Sequence, residues 1–273
     1  MDKGLFMPDF VYRVSDLQSF LILTSFTMLL AIFFIFLNRH FFFHVLRYKD
    51  NEIVSSVSAL IGIIYGVLVG FVCLYLLTKF DHAAQATQAE ANVVSTIIRR
   101  SALLSPQIQL LIEKDLQQYV EEVINIEWPI MADFGKINQK GDLILIDLIN
   151  ALKDYKPETE VQKIIFQDLI TTSIKELYTA RHTRIMLSYL ELGGDMWYVI
   201  LIGTVLIIAS NYAFRAHFYL HLFVNIIFAI MAGSMLFLVV SLDRPFQGGF
   251  SITPEPFQEI LDLLGTTLPK KNS

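Results

Sequence analysis

Residues 53–77 read IVSSVSALIGIIYGVLVGFVCLYLL, a stretch without a charged side chain. A helix of that length crosses a hydrocarbon core of roughly 30 Å, and in lipid the backbone must satisfy its hydrogen bonds internally. Further apolar runs lie at 17–37, 196–213 and 218–242. The spacing predicts an all-α membrane protein with four transmembrane helices arranged as two hairpins. An amino-terminal hairpin lies within 1–80, an extramembrane helical domain spans 81–195, a carboxyl-terminal hairpin spans 196–242, and an extramembrane tail follows over 243–273.

Composition agrees. With 54% hydrophobic residues, 17% charged and a mean hydropathy of +0.53, the chain is too apolar for an ordinary globular protein. A pI near 5.7 offers no basic face for phosphates, so nucleic acid is not an expected partner. Cys73 is the single cysteine, which excludes an intrachain disulfide and suits a small packed hydrophobe. No metal or other cofactor is expected. The segment before the first run lacks a basic region and a cleavage site, so it is expected to stay in the mature protein.

Short basic loops set the expected orientation. Arg39, Arg47 and Lys49, with His40 and His44, lie between the first two runs, and Arg215 with His217 lies between the last two. These loops read as cytoplasmic. The helical domain and both termini then face the opposite side, the periplasm of a bacterial inner membrane. Arg99, Arg100, Arg181 and Arg184 fall in a long region, which translocates largely regardless of charge.

The middle region has helical periodicity throughout. Ser105-Pro106 predicts an N-cap followed by proline in the first turn. Ile112, Leu116, Tyr119, Val120 and Val123 form one stripe of a helix running to Trp128, which Pro129 is expected to stop. Lys136 to Gly141 reads as a loop, Asp142 opens a short helix, and Lys156-Pro157 restarts the chain. A long helix carrying Val161, Ile164, Ile165, Leu169 and Leu177 is expected to continue towards the membrane near Leu192. The expected result is a bundle packed on extensions of the second and third membrane helices.

Within the second run, Ser58, Gly62, Gly66 and Gly70 recur every four residues beside Tyr65. They form a flat face that suits close helix packing, within or between subunits, or a narrow glycine-lined pore. The fourth run opens with His217, His221 and Asn225, also four apart. A polar line there belongs against protein, water or an ion. Headgroup anchoring suits His217. For His221 and Asn225, interhelical hydrogen bonds, an ion pathway and a metal site remain open, although no further ligand lies at metal-binding spacing.

After the fourth run comes SLDRPFQGGFSITPEPF, residues 241–257. Asp243 and Arg244 mark a water boundary, Pro245 ends the helix, Gly248-Gly249 allows a sharp turn, and Phe246 and Phe250 suit interfacial anchors. This string resembles the signature of the bestrophin-like domain family of bacterial and plant membrane proteins. Similar matches include YGVLVGF at 65–71, Glu90 in AEAN, Tyr119, IEWPIM with Glu127, Trp128 and Pro129, ARHTR with Arg181 and Arg184, and MWYVILIG with Trp197. They follow the family order from about Phe26 to Phe257.

The resemblance implies similarity to bestrophins, pentameric chloride channels with a Pro-Phe-Gly string after the fourth membrane segment. The counterpart here is Pro245, Phe246, Gln247 and Gly248. It lacks the acidic run of the animal calcium clasp, the aromatic neck has no match, and bestrophins keep their helical region in the cytoplasm, opposite to the positive-loop reading.

The leading expectation is a homo-oligomeric ion channel in the lipid bilayer, with an anion as first choice of permeant ion. The second helix would line or abut the pore, and Arg181, Arg184, Asp243 and Arg244 would form a charged ring or latch near its mouth. The alternative is a non-conducting scaffold or sensor whose helical domain binds a partner or ligand. Catalytic motifs such as HExxH, GxSxG, a Walker loop or CxxC are absent, so an enzyme is not expected. Glu90, Glu127, Arg181 and Arg184 are expected to form a structural salt-bridge network joining bundle to membrane.

Overall fold

The computed structural model describes residues 9–37, 51–133, 135–211 and 217–267. Among the described residues every regular element is helical, and there is no strand. The loop residues Arg39, His40, His44, Arg47, Lys49 and Arg215 lie outside the described set. Three helices are long and apolar enough to cross a membrane, α2 (Asp16–Leu37), α3 (Asn51–Ser101) and α10 (Phe218–Asp243). A shorter apolar helix, α9 (Gly194–Ser210), has 17 residues. The 51 residues of α3 extend about 77 Å.

The chain forms two compact units, one from 1–80, 191–244 and 248–250, the other from 81–190, 245–247 and 251–273. In the first unit, α1 (Asp9–Arg13) precedes α2, which opens with a reciprocal cap. Gln18 N donates to Ser15 Oγ at 3.4 Å, and Ser15 N donates to Gln18 Oε1 at 3.2 Å. Small residues let α2 and α10 approach closely. A Cβ on Gly233 would stand 2.7 Å from Thr24 Cα, and Thr27 Oγ1 donates across to Ala229 O at 2.8 Å. Gly203 on α9 does the same for α3, since a Cβ there would lie 2.5 Å from the Tyr65 ring. The Tyr65 hydroxyl meets Thr204 Oγ1 at 2.7 Å, which satisfies both in an apolar setting.

The second unit comprises the outer part of α3, α4 (Pro106–Glu122), α5 (Trp128–Ala132), α6 (Lys140–Leu152), α7 (Glu160–Asp168), α8 (Ile174–Ser188) and α11 (Glu255–Thr267). The stripe Ile112, Leu116, Tyr119, Val120 and Val123 is buried in its core with Ile97, Leu145, Leu148 and Leu177.

Several boundaries differ from expectation for local reasons. Pro129 does not stop the helix. A π turn over Val123–Glu127 precedes it, and Pro129 enters at the start of α5, where its missing N–H costs little. Ser105 flanks α4 with extended backbone, yet its side chain makes no cap bond. Helix α6 starts at Lys140 rather than Asp142. The run after Thr159, whose side chain accepts from Gln162 N, contains a second π turn at Leu169–Ser173 and ends at Ser188. Residues 190–193 then break the chain before α9, so α8 is not an extension of the third apolar helix.

Candidate functional site

Arg181 and Arg184, neighbours along one face of α8, are 1% and 0% exposed. Guanidinium groups taken so far out of water persist only when paired and hydrogen-bonded. Arg184 donates from Nε to Glu90 Oε2 at 2.7 Å and from Nη2 to Glu90 Oε1 at 3.1 Å and Glu127 Oε2 at 2.8 Å. Arg181 donates from Nε to Asp142 Oδ1 and from Nη1 to Glu127 Oε2, both at 2.8 Å. Glu127, the last residue of the first π turn, therefore receives both arginines. Its other oxygen lies 2.7 Å from Arg181 Nη1, close enough for an ion pair but without hydrogen-bond alignment.

Aromatic rings complete the enclosure. Tyr119 donates to Glu90 Oε1 at 2.5 Å. The Arg184 guanidinium carbon lies 5.6 Å from the Trp128 ring centroid and 5.8 Å from that of Phe257. Burial alone would lower the pKa of each arginine. Glu90 and Glu127 beside Arg184, and Tyr119, Glu127 and Asp142 beside Arg181, outweigh it and hold both above the ordinary value. Burial, reinforced by the Glu90 charge, pushes the Tyr119 phenol well up, so it remains a neutral donor. Gly141 closes the cluster from α6, where a Cβ would stand 2.6 Å from Glu127 Oε1 and 2.7 Å from Arg181 Nη2.

Every member of this cluster belongs to the second unit. It ties α3, α4, α6 and α8 together, and Asp243 and Arg244 are not among its ion-pair partners. Those two residues close a separate network in the first unit. Asp243 accepts from Tyr12 O–H at 2.9 Å and from Leu192 N at 2.6 Å, and Lys79 Nζ lies 3.8 Å from its Oδ1 while donating to its backbone carbonyl. Arg244 pairs with Glu191 at 3.3 Å and covers the Tyr12 ring at 4.1 Å.

Of the string that follows, residues 245–247 and those from 251 onward belong to the second unit, and 248–250 to the first. Pro245 O accepts from Ile252 N at 2.8 Å, and Ile252 O accepts from Trp128 Nε1 at 3.2 Å. Phe246 is buried, edge-on to Trp128 at 5.5 Å, so it is a core residue rather than an interfacial anchor. Phe250 is exposed and stacks on Phe80 at 5.0 Å. Gly248 adopts φ +87°, a backbone form that side-chain-bearing residues resist.

In the first unit, the four-spaced face of α3 is only partly used. Ser58 Oγ donates to Ser210 O at 3.1 Å, and Gly62 lies 3.8 Å from Ile207, counting from the position of an added Cβ. A Cβ added at Gly66 or Gly70 would meet nothing within 4 Å. His221 Nε2 lies 3.0 Å from Asn211 O, and Asn225 donates to His221 O at 2.7 Å. Ser58, Gly62, Asn211 and His221 border a cavity of about 470 Å³.

The sequence profile of the Bestrophin-like domain matches residues 19–257. The chain belongs to the Bestrophin-like family. No curated protein matches it. Similar solved structures are variants of a bacterial bestrophin homologue from Klebsiella pneumoniae. One matches with a TM-score of 0.63 at 13% identity, covering 90% of this chain and 97% of that one. Others give 0.64 at 14% over 90% and 98%, and 0.62 at 13% over 93% and 99%. At such identities the likeness shows a shared fold.

Within this Bestrophin-like chain, sequence reasoning named Glu90, Glu127, Arg181 and Arg184 but missed Asp142, Gly141 and Tyr12. Asp142 was read only as a helix start. A glycine beside an acid at a helix opening was the one available signal for Gly141, and it points equally to an ordinary turn.

Proposed function

We propose that this Bestrophin-like protein is a homo-oligomeric ion channel, with anions as the first candidate permeants. The observation carrying this reading is the glycine face of α3, where a Cβ added at Gly66 or Gly70 would meet nothing within 4 Å. Close approach of a second backbone, or a water path bordered by glycine, is what such a face suits. Four membrane helices are too few to enclose a pore, so conduction requires several copies.

In this reading, runs 17–37, 53–77, 196–213 and 218–242 cross the membrane as two hairpins. The short basic loops face the cytoplasm of a bacterial inner membrane, and the helical domain over 81–195 lies on the periplasmic side. His221 and Asn225 serve helix packing beside the pore helix. Glu90, Glu127, Trp128, Arg181 and Arg184 hold the bundle, while Asp243, Arg244, Pro245, Phe246 and Gly248 fix the exit of the last helix. The ionic clusters serve assembly rather than turnover.

Purified protein in a planar bilayer under a chloride gradient tests the reading. Current whose reversal potential follows chloride is expected. Silence across several ions and pH values overturns it and leaves the scaffold or sensor reading.

A further inference from the structure

The second unit carries a trough of about 820 Å³ between the outer part of α3 and α8 with its preceding π turn. Ala86, Ala89, Thr179, Ala180 and Thr183 are among its lining, small side chains that leave helix-sized space. Lys175 is an exposed cation bordering it, next to Glu176, and His82 stands on the α3 side. The lining from Thr171 to Leu187 extends about 24 Å as helix. The threonine hydroxyls are turned back on their own helix, with Thr179 donating to Lys175 O and Thr183 to Thr179 O. Between the polar groups at His82, Gln85, Lys175 and Glu176, the trough therefore presents mainly apolar and small surface.

The same unit displays a matching ridge. On α6, Leu143 and Ile146 are 55% and 44% exposed although they are large and apolar. Asp147 follows Ile146 and is exposed as well. Residues at these offsets share a helix face. The 13 residues of α6 extend about 20 Å, comparable with the trough. Asp147 also sits in a locally acidic setting, since burial and the Asp147 charge push the nearby Asp115 carboxyl up against the opposing effect of Lys114. A cation from outside the subunit would relieve that repulsion.

We infer that the α6 ridge of one copy, Leu143, Ile146 and Asp147, seats in the α3–α8 trough of the next, with Asp147 meeting Lys175. This rests on the oligomeric reading above and assigns it a head-to-tail contact outside the membrane. A ridge and a trough on different faces of one chain make a heterologous interface, which closes into a ring when the rotation between copies allows.

The test uses the full chain with Cys73→Ser, which removes the single cysteine. Ile146→Cys and Thr183→Cys are placed together and oxidised with copper phenanthroline in detergent. A covalent ladder of multimers is expected, and neither single variant should give one beyond background. Asp147→Lys should weaken association several-fold by light scattering, and adding Lys175→Asp should restore it, with helicity unchanged by circular dichroism. An oligomer that gives no ladder and ignores both charge changes overturns this contact alone. A ladder from Ile164→Cys in place of Ile146→Cys assigns the trough to α7 and also overturns it. A wild-type protein that is monomeric at all concentrations overturns the oligomeric reading and this contact with it.

Discussion

Arg184 holds Glu90 by two hydrogen bonds, one to each carboxylate oxygen, 2.7 and 3.1 Å long, with both side chains wholly buried. Such a fork is specific to arginine, because lysine offers a point charge without the planar pair of donors. Glu90→Gln or Arg184→Lys should therefore destabilise the helical unit, and Arg184→Ala should cost about 3–5 kcal/mol, the usual penalty for orphaning a buried charge. Thermal unfolding of the detergent-solubilised protein would show it. An unchanged midpoint would mean that water reaches the cluster. Glu127→Ala and Arg181→Ala should likewise lower the yield of assembled protein more than they alter the ion flux of what assembles.

Gly141 is held by contact. Gly141→Ala places a methyl against Glu127 and Arg181 and should cost about 1–3 kcal/mol. Gly265→Ala on α11 meets nothing within 4 Å and should be neutral or slightly stabilising. Equal behaviour of the two variants would remove the reason given for a glycine at 141.

Tyr119 sets an alkaline limit. Its phenol pKa is raised in the folded state, so its contribution is fully present below the unfolded value of about 10 and is lost as pH rises above it. Stability should fall above about pH 10, and the fall should be shallower in Tyr119→Phe. Chemical denaturation of both proteins at pH 8 to 11 compares the slopes. Parallel curves would show that other groups govern the decline.

In the first unit, Tyr65→Phe removes the hydroxyl contact with Thr204 and should cost roughly 0.5–2 kcal/mol, as interhelical hydrogen bonds do. Gly203→Leu should be far worse, because the Tyr65 ring already occupies the space. Steric-trap unfolding in bicelles would rank the pair, and the reverse order would mean that α3 and α9 do not pack through this contact.

The parts of the fold legible in sequence were those written in periodicity. The apolar runs gave α2, α3, α9 and α10, and the stripe from Ile112 to Val123 gave the buried face of α4. The π turns at Val123–Glu127 and Leu169–Ser173 left no such mark, since one wider turn changes the hydrogen-bond partner without changing residue type. That is why Pro129 was misread as a stop. The ionic residues could be named from their motifs, but their grouping depends on packing across long sequence separations. Glu90 lies 94 residues from Arg184, and nothing local tells Arg184 from Arg244, which belongs to the other network.

Conduction as proposed requires α3 to border an ion path in an assembled oligomer. The most direct measurement is the rate at which a water-soluble thiol reagent blocks bilayer current through Gly66→Cys and Gly70→Cys, each in the Cys73→Ser background, with Phe26→Cys at an exposed position of α2 as the comparison. Current from all three and rapid block at positions 66 and 70 only are expected. Absence of current, or glycine-face cysteines as inert as position 26, would contradict the proposed ion path.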